Sequence, residues 1–413
     1  MTTRRTASPA GTRATRRRFL GGATAAALAP LATLSFAGSR RAGGNRFVLV
    51  ILRGGLDGLG AVPAPGDPDF AVARGPLGQF GSNAPLPLDA TFALHPQLAE
   101  LHAAYLRGEA AVIHAVGLPY RERSHFDAQQ VLESGGARPY ELGTGWLGRA
   151  LGSNGAKGVA LSTAVPLVLR GEAVIDTWAP SVLPNPSADL VGRLRRMYSA
   201  DAGLAKALER ARLLHLGSDA GDDGPADEVA MAMNGTPAAR PGSFRGLAQR
   251  AAEFLGERNG PQVAVLELGG WDTHANQANP NGALANGLRV LDGGLATLRT
   301  ALVAQDAWQR TVVVVASEFG REVAINGTLG TDHGSGGAAF VLGGPVRGGR
   351  VVADWPGLAK AQRFEGRDLR VTTDLRAVLK GVLGPHLQIA SGSLDSEVFP
   401  DSAAVRPLPL LRG

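Results

Sequence analysis

The run Thr311-Val312-Val313-Val314-Val315-Ala316 is apolar without alternation. A strand solvated on one face alternates polar and apolar side chains. One that does not alternate is buried on both faces, as in mainly parallel sheets covered by helices. Comparable runs lie at Arg46–Leu52, Ala110–Val116, Gly158–Leu169, Gln262–Leu268 and Ala338–Leu342. Between them, Leu284–Val303 reads as an amphipathic helix, and Thr372–Leu383 as another with Gly384 just past its end. The expected fold class is therefore α/β, a doubly wound, mainly parallel sheet with helices on both faces. From about Asp176 to Arg245 the strand pattern stops. Helical stretches within Ser187–Leu214 and the Gly/Asp-rich Gly217–Gly224 mark 176–245 as a helical insertion or cap within a domain spanning 46–413.

The net charge of +6 invites a nucleic-acid reading, but its location removes it. Residues 1–37 carry Arg4, Arg5, Arg13, Arg16, Arg17 and Arg18 and no acid; without those six, Lys and Arg number 36 against 36 Asp and Glu. A neutral body offers no electrostatic footprint for nucleic acid. The N-terminus itself reads as a targeting segment. Thr15-Arg16-Arg17-Arg18-Phe19-Leu20 resembles the twin-arginine export motif. It precedes Ala23–Leu34, an apolar stretch too short to span a bilayer, and Ser35-Phe36-Ala37 fits small-x-small cleavage. The expectation is a signal peptide over 1–37, a periplasmic or secreted protein exported by the twin-arginine route, and no transmembrane segment after its removal.

The chain has no cysteine. Disulfides, thiolate metal sites and cysteine nucleophiles are thereby excluded, and stability must come from core burial.

In sheets of this class, ligands sit at the carboxyl ends of the strands. The first strand ends "LRGGLDG" with Asp57, and Asp-Gly is also an ordinary turn pair. After the second, "RSHFDAQ" delivers Ser124 at a helix start. There a serine is equally a good N-cap, with Asp127 three residues on as in a capping box. "GGWDTHANQ" brings Asp272 and His274, "SEFGRE" brings Ser317, Glu318 and Arg321, and "GTDHGSGG" puts Asp332 and His333 before another strand. Each segment alone has a structural explanation. Together they crowd carboxylates and imidazoles at one sheet edge, which calls for a cation among them. Oxygen and nitrogen donors without sulfur suit one or two divalent ions, Zn²⁺, Mn²⁺ or Mg²⁺. His95, His102, His215 and His386 read as surface or helix-packing residues, and His114 as a core residue within a strand.

The order of these motifs resembles the alkaline phosphatase superfamily, which holds two metals at the carboxyl edge of such a sheet and uses a Ser or Thr nucleophile. More closely, the quoted motifs, together with "AAFVLGG", are similar to the exported bacterial family catalogued as domain of unknown function 1501, over roughly Arg46 to Pro400. The resemblance implies one metal held by Asp272, His274 and His333. It implies a second held by Asp57 and Glu318, with Ser124 between the two as nucleophile. His125 orients the nucleophile, ligates or packs, and Arg321 supports the site. This chain has Asp272-x-His274 where the phosphatases show Asp-x-x-x-His, and Ser317-Glu318 where they show Asp-His. The second metal therefore lacks an imidazole, for which Asp332 can compensate. A formylglycine sulfatase is excluded, because there is neither Cys nor any Ser-x-Pro-x-Arg.

The functional expectation is an exported metal-dependent hydrolase of a phosphate or related ester, acting on a small-molecule or polymer substrate through a Ser nucleophile or a metal-activated water. Its alternative is a non-catalytic exported scaffold of the same fold, binding a surface partner or polysaccharide. The sequence does not specify the substrate or the oligomeric state.

Overall fold

The computed structural model describes residues 44–80, 83–153, 155–180, 186–216, 243–277 and 281–413. The segment 1–37 and Gly217–Gly224 lie outside the described residues. Asn45–Gly413 form one compact unit. Its strands are β1 (Arg46–Leu52), β2 (Leu86–Pro87), β3 (Ala93–Leu94), β4 (Ala110–Gly117), β5 (Lys157–Ala160), β6 (Val174–Thr177), β7 (Val263–Leu268), β8 (Thr311–Ser317), β9 (Gly337–Gly343), β10 (Arg350–Val352) and β11 (Thr373–Asp374). Nine of them make one sheet in the order β10-β4-β9-β8-β1-β7-β5-β6, with β11 also paired to β4, while β2 and β3 form a separate hairpin.

The sheet is mainly parallel because only β9 runs against its neighbours β4 and β8. That reversal places the start of β9 at the edge where β1, β4, β7 and β8 end. The loop carrying His333 thus arrives at the same edge as the segments after those strands.

The lack of alternation in the strand sequences is explained by two cores. In β1, Val48, Val50 and Leu52 face one core, and Phe47, Leu49 and Ile51 the other. β8 does the same, with Val313 and Val315 on one face and Val312, Val314 and Ala316 on the other. Helices Ala99–Leu106, Phe244–Gly256 and Ala283–Ala304 cover the first face. Helices His125–Ser134, Trp146–Gly152 and Leu375–Leu387 cover the second.

Some expected boundaries are corrected. The run expected over Gly158–Leu169 is a strand only to Ala160, and Leu167–Leu169 turn as a short 3₁₀ helix behind Pro166, which has no N–H for a ladder. The edge strand β6 went unrecognised because it is four residues long, only Val174 and Ile175 of it are apolar, and none of it is buried. The last long helix begins at Leu375, capped by Asp374 accepting from Arg376 N–H at 2.8 Å. It passes through Gly384 and Pro385 to end at Gln388 in the left-handed region, φ 59°. Burial of Leu383 and His386, whose Nε2 bonds Arg46 O at 2.8 Å, holds that last turn. Of the histidines expected on the surface or in helix packing, His386 is buried on its helix, and His95 is buried as well. Within 176–245 the described helices are Ala188–Tyr198 and Ala202–Leu216, and the first buries no side chain. Among the described residues no helix is long and apolar enough to cross a membrane.

His114 is a fully buried core residue of β4, with Nε2 on Val62 O at 2.9 Å and Nδ1 accepting from Ala115 N–H at 2.8 Å. Burial pulls its pKa down to about 4, against the opposing effects of the Val62 carbonyl and Asp57. The folded state therefore refuses a proton that the unfolded chain accepts near pH 6.5. This contribution is complete above pH 6.5 and is lost as pH falls toward 4, by about 3 kcal/mol in all. Urea titrations of wild type and His114→Gln between pH 7 and 4.5 should show a slope that the variant lacks. Parallel slopes would refute this.

Candidate metal centre

Four segments converge at the carboxyl edge. After β7, Trp271 is buried and its indole N–H bonds Leu268 O at 2.9 Å, so the chain leaves the strand at a fixed angle. In the non-strand segment that follows, Thr273 is buried while Asp272 and His274 are open to solvent, and backbone bonds from Thr273 N–H to Trp271 O at 2.9 Å and from His274 N–H to Asp272 O at 3.1 Å turn it tightly. Gly54, at φ 121°, lets β1 turn against this segment, since a Cβ there would lie 2.6 Å from Asp272 N. Gly330 does the same for the loop before β9, where a Cβ would meet the His274 carbonyl carbon at 2.2 Å. His125 opens the helix His125–Ser134.

The four side chains these segments deliver meet tip to tip. His333 Nε2 lies 3.0 Å from His125 Nε2, 3.0 Å from His274 Nε2 and 3.1 Å from Asp272 Oδ1. Asp272 Oδ1 is 3.0 Å from His274 Nε2 and 3.4 Å from His125 Nε2. Donor atoms of His125, Asp272 and His333 alone all lie within 4.8 Å of one another. The His125 Nε2, His333 Nε2 and Asp272 Oδ1 atoms stand 3.0–3.4 Å apart, close to the roughly 3.3–3.4 Å between ligand atoms of a four-coordinate metal, and His274 Nε2 adds a fourth donor beside His333 and Asp272.

The far side of each ring fixes the argument. His125 Nδ1 bonds Glu318 Oε1 at 2.9 Å, His274 Nδ1 bonds Asp332 Oδ1 at 2.8 Å, and His333 Nδ1 bonds the Arg123 carbonyl at 2.9 Å. Carbonyls and carboxylates accept, so each Nδ1 carries the hydrogen and, in the neutral ring, Nε2 presents a lone pair. Three imidazole lone pairs and a carboxylate oxygen then face one another, an arrangement that a cation resolves. The Glu318 hydrogen bond raises the His125 pKa despite partial burial, while burial lowers that of His333. Protons and metal compete here, so metal affinity should fall as pH drops through the titration of His125. The centre is open to solvent, with 44% of the His274 side chain and 46% of that of Asp272 exposed.

The carboxylates divide by partner. Burial pushes the Asp272 pKa up, but the Arg321 hydrogen bond and charge, helped by His274 and His125, outweigh it and hold it at about 2. Glu318 is buried and already accepts from Gly54 N–H at 2.8 Å, Gln129 at 3.2 Å and Ser317 Oγ at 3.0 Å besides His125. Asp332 takes a second bond from Asn326 at 3.1 Å. Both stand behind imidazoles instead of among the donor tips. Asp57 is further removed. It is buried, accepts from Gly60 N–H at 3.0 Å, and is held by Arg74 and Gln277. In the expected second pair, Asp57 accepts from Gly60, Arg74 and Gln277, and Glu318 from Gly54, His125, Gln129 and Ser317, so protein donors already engage both carboxylates.

Ser124 directly precedes His125 as N-cap residue, but its side chain makes no cap bond, and Asp127 instead accepts from Tyr120 at 3.2 Å. The Ser124 hydroxyl interacts with Tyr120 and with none of the imidazoles among the described contacts. Arg321 donates to Asp272 Oδ1 at 2.7 Å. The sequence left His125 undecided between orienting, ligating and packing. Its signal was present in Gln129 four residues on, since both side chains reach Glu318 from one helix face.

The class defined so far is an α/β protein with a candidate His/Asp metal centre at the carboxyl edge of its sheet. The chain belongs to the family described as protein of unknown function (DUF1501), which matches residues 91–394. A comparison with curated proteins found no match. Solved structures similar to it include murine ectonucleotide pyrophosphatase/phosphodiesterase 5 in complex with AMP, at 9% identity and TM-score 0.33, over 67% of this chain and 57% of that one. Phosphonate monoester hydrolase of Agrobacterium radiobacter matches at 13% identity and TM-score 0.39, over 82% and 74%. The lipoteichoic acid synthase of Listeria monocytogenes matches at 12% and 0.40, over 87% and 76%. This chain thus spans just over half the length of the murine protein.

Proposed function

We propose that the chain is an exported metal-dependent hydrolase of a phosphate or related ester, with one divalent ion held by His125, Asp272, His274 and His333. The observation that supports it is the meeting of the His125 and His274 Nε2 lone pairs and Asp272 Oδ1 around His333 Nε2, each 3.0–3.1 Å from it, with every Nδ1 engaged elsewhere. A nitrogen-rich set of this kind favours Zn²⁺ over Mg²⁺. An ion held there would supply Lewis-acid polarisation of an ester oxygen. The chain itself contributes the rest. Glu318, Asp332 and the Arg123 carbonyl hold the imidazole tautomers, and the exposed faces of Asp272 and His274 leave the centre accessible to a substrate. Ser124, at the start of a ten-residue helix and with an uncommitted cap position, is the candidate to take the transferred group. Export would follow from residues 1–37, and sequencing the mature N-terminus after secretion would check cleavage after Ala37.

The test is elemental analysis of the purified chain together with a panel of phosphate mono- and diesters, before and after chelation. Stoichiometric metal with chelator-sensitive turnover supports the reading. One observation favours the alternative of a non-catalytic scaffold for a surface partner or polysaccharide: the protein itself offers four donors, the number that closes a structural site. Bound metal with no turnover on any ester would select it. For Ser124→Ala we expect abolished turnover with metal content retained. Because the hydroxyl makes no cap bond, stability should change by less than the roughly 1 kcal/mol a working cap contributes. Unchanged turnover would remove Ser124 as nucleophile.

A further inference from the structure

Beneath the centre runs a chain of buried polar side chains that the catalytic reading does not use. Arg321 is 1% exposed, Thr331 0%, Gln277 1%, Asp57 1% and Arg74 0%. Burying this much polarity is costly unless the groups are matched; here the hydrogen bonds that match them run in one direction only, and Arg74 Nε is left without a partner. Arg321 can only donate. It gives NH1 to Asp272 Oδ1 at 2.7 Å, Nε to Thr331 Oγ1 at 3.4 Å and NH2 to the Thr331 carbonyl. With its oxygen accepting from Arg321, Thr331 donates onward to Gln277 Oε1 at 2.7 Å, where Thr273 Oγ1 also donates at 2.9 Å. The Gln277 amide is therefore orientated without ambiguity, oxygen toward the two threonines and nitrogen toward Asp57. Asp57, which only accepts, closes the chain against Arg74.

We propose that Gln277 and Thr331 are positioning residues for the metal centre, setting the ligand oxygen of Asp272 through Arg321. The inference rests on the metal reading above and deepens it. Asp272 and His274 sit on an exposed loop whose inward residue, Thr273, is one end of this network, and Thr331 N–H also bonds Thr273 O at 3.2 Å. The loop carrying two donors and the loop carrying His333 are thus fastened to each other and to the core by the same amide. Without that anchor Arg321 keeps its charge but loses one of its fixed contacts, and Asp272 Oδ1 loses its fixed place relative to the three imidazoles. Partners one step behind metal ligands are typically worth roughly 10–100-fold in affinity.

The experiment measures Zn²⁺ affinity of the full chain by competition with a chromophoric chelator, and the visible absorption of the Co²⁺-substituted protein, which reports ligand geometry. Thr331→Val and Gln277→Met, which reach Asp272 only through Arg321, should each weaken Zn²⁺ binding by up to roughly 10-fold, the low end of that range, and alter the Co²⁺ spectrum, and Thr331→Ser should restore both. Should Gln277→Met not fold, the Thr331→Val and Thr331→Ser pair decides. Folded variants with wild-type affinity and spectrum would overturn the positioning role and leave the metal centre standing. A wild-type chain that takes up neither ion would overturn both.

Discussion

The His125→Ala protein should keep its fold and lose its metal. Its imidazole supplies one of four converging tips, yet it stands in the first turn of an exposed helix end with 22% of its side chain in solvent, where alanine is tolerated. Removal leaves two imidazoles and a carboxylate, with Glu318 deprived of the ring it holds. The loss in affinity should exceed the roughly 100-fold upper range for an outer partner, because a donor itself is gone. Elemental analysis after dialysis and a Zn²⁺ titration read the effect directly, with His102→Ala as control, since His102 lies on the helix Ala99–Leu106 with its Nε2 on Pro87 O in β2. His274→Ala should lower occupancy in the same way. Full metal content in His125→Ala would show that the ring is a hydrogen-bonding neighbour and no ligand.

The sheet was legible because double burial leaves a direct trace: β1, β4, β7, β8 and β9 were each readable within a residue or two from runs without alternation. That trace fades where burial does, which is why β6 was missed and β5 overextended through Leu169. The sheet edge was legible as well, since Asp272, His274 and His333 all follow or precede strands in the order a parallel sheet requires. What the sequence could not show is which carboxylates point at the donor tips and which stand behind a ring. Glu318 and Asp332 look like ligands in one dimension. Only the Nδ1 contacts show them orientating His125 and His274. Gln277 and Thr331 carry no motif, and their partners lie across separate loops.

Asp57 is the clearest instance, and it carries the second large prediction. Its sequence position, after Gly54-Gly55 at the end of a central strand, suggests a metal ligand. In the fold it meets Arg74, with both side chains essentially excluded from solvent. Arg74 also reaches the Val323 carbonyl at 3.0 Å, so the guanidinium is anchored on both sides of the carboxylate it neutralises. Replacing Arg74 by Met should therefore cost about 3–5 kcal/mol, the usual result of leaving one buried charge without its partner. Joint replacement with Asp57→Leu should recover much of that loss, because removing both charges also removes their desolvation cost. Denaturant midpoints of the single and double variants measure this coupling. An Arg74→Met protein of undiminished stability would mean that some other cation neutralises Asp57. Elemental analysis would then have to find a second metal equivalent, returning Asp57 to the ligand role its sequence position suggests.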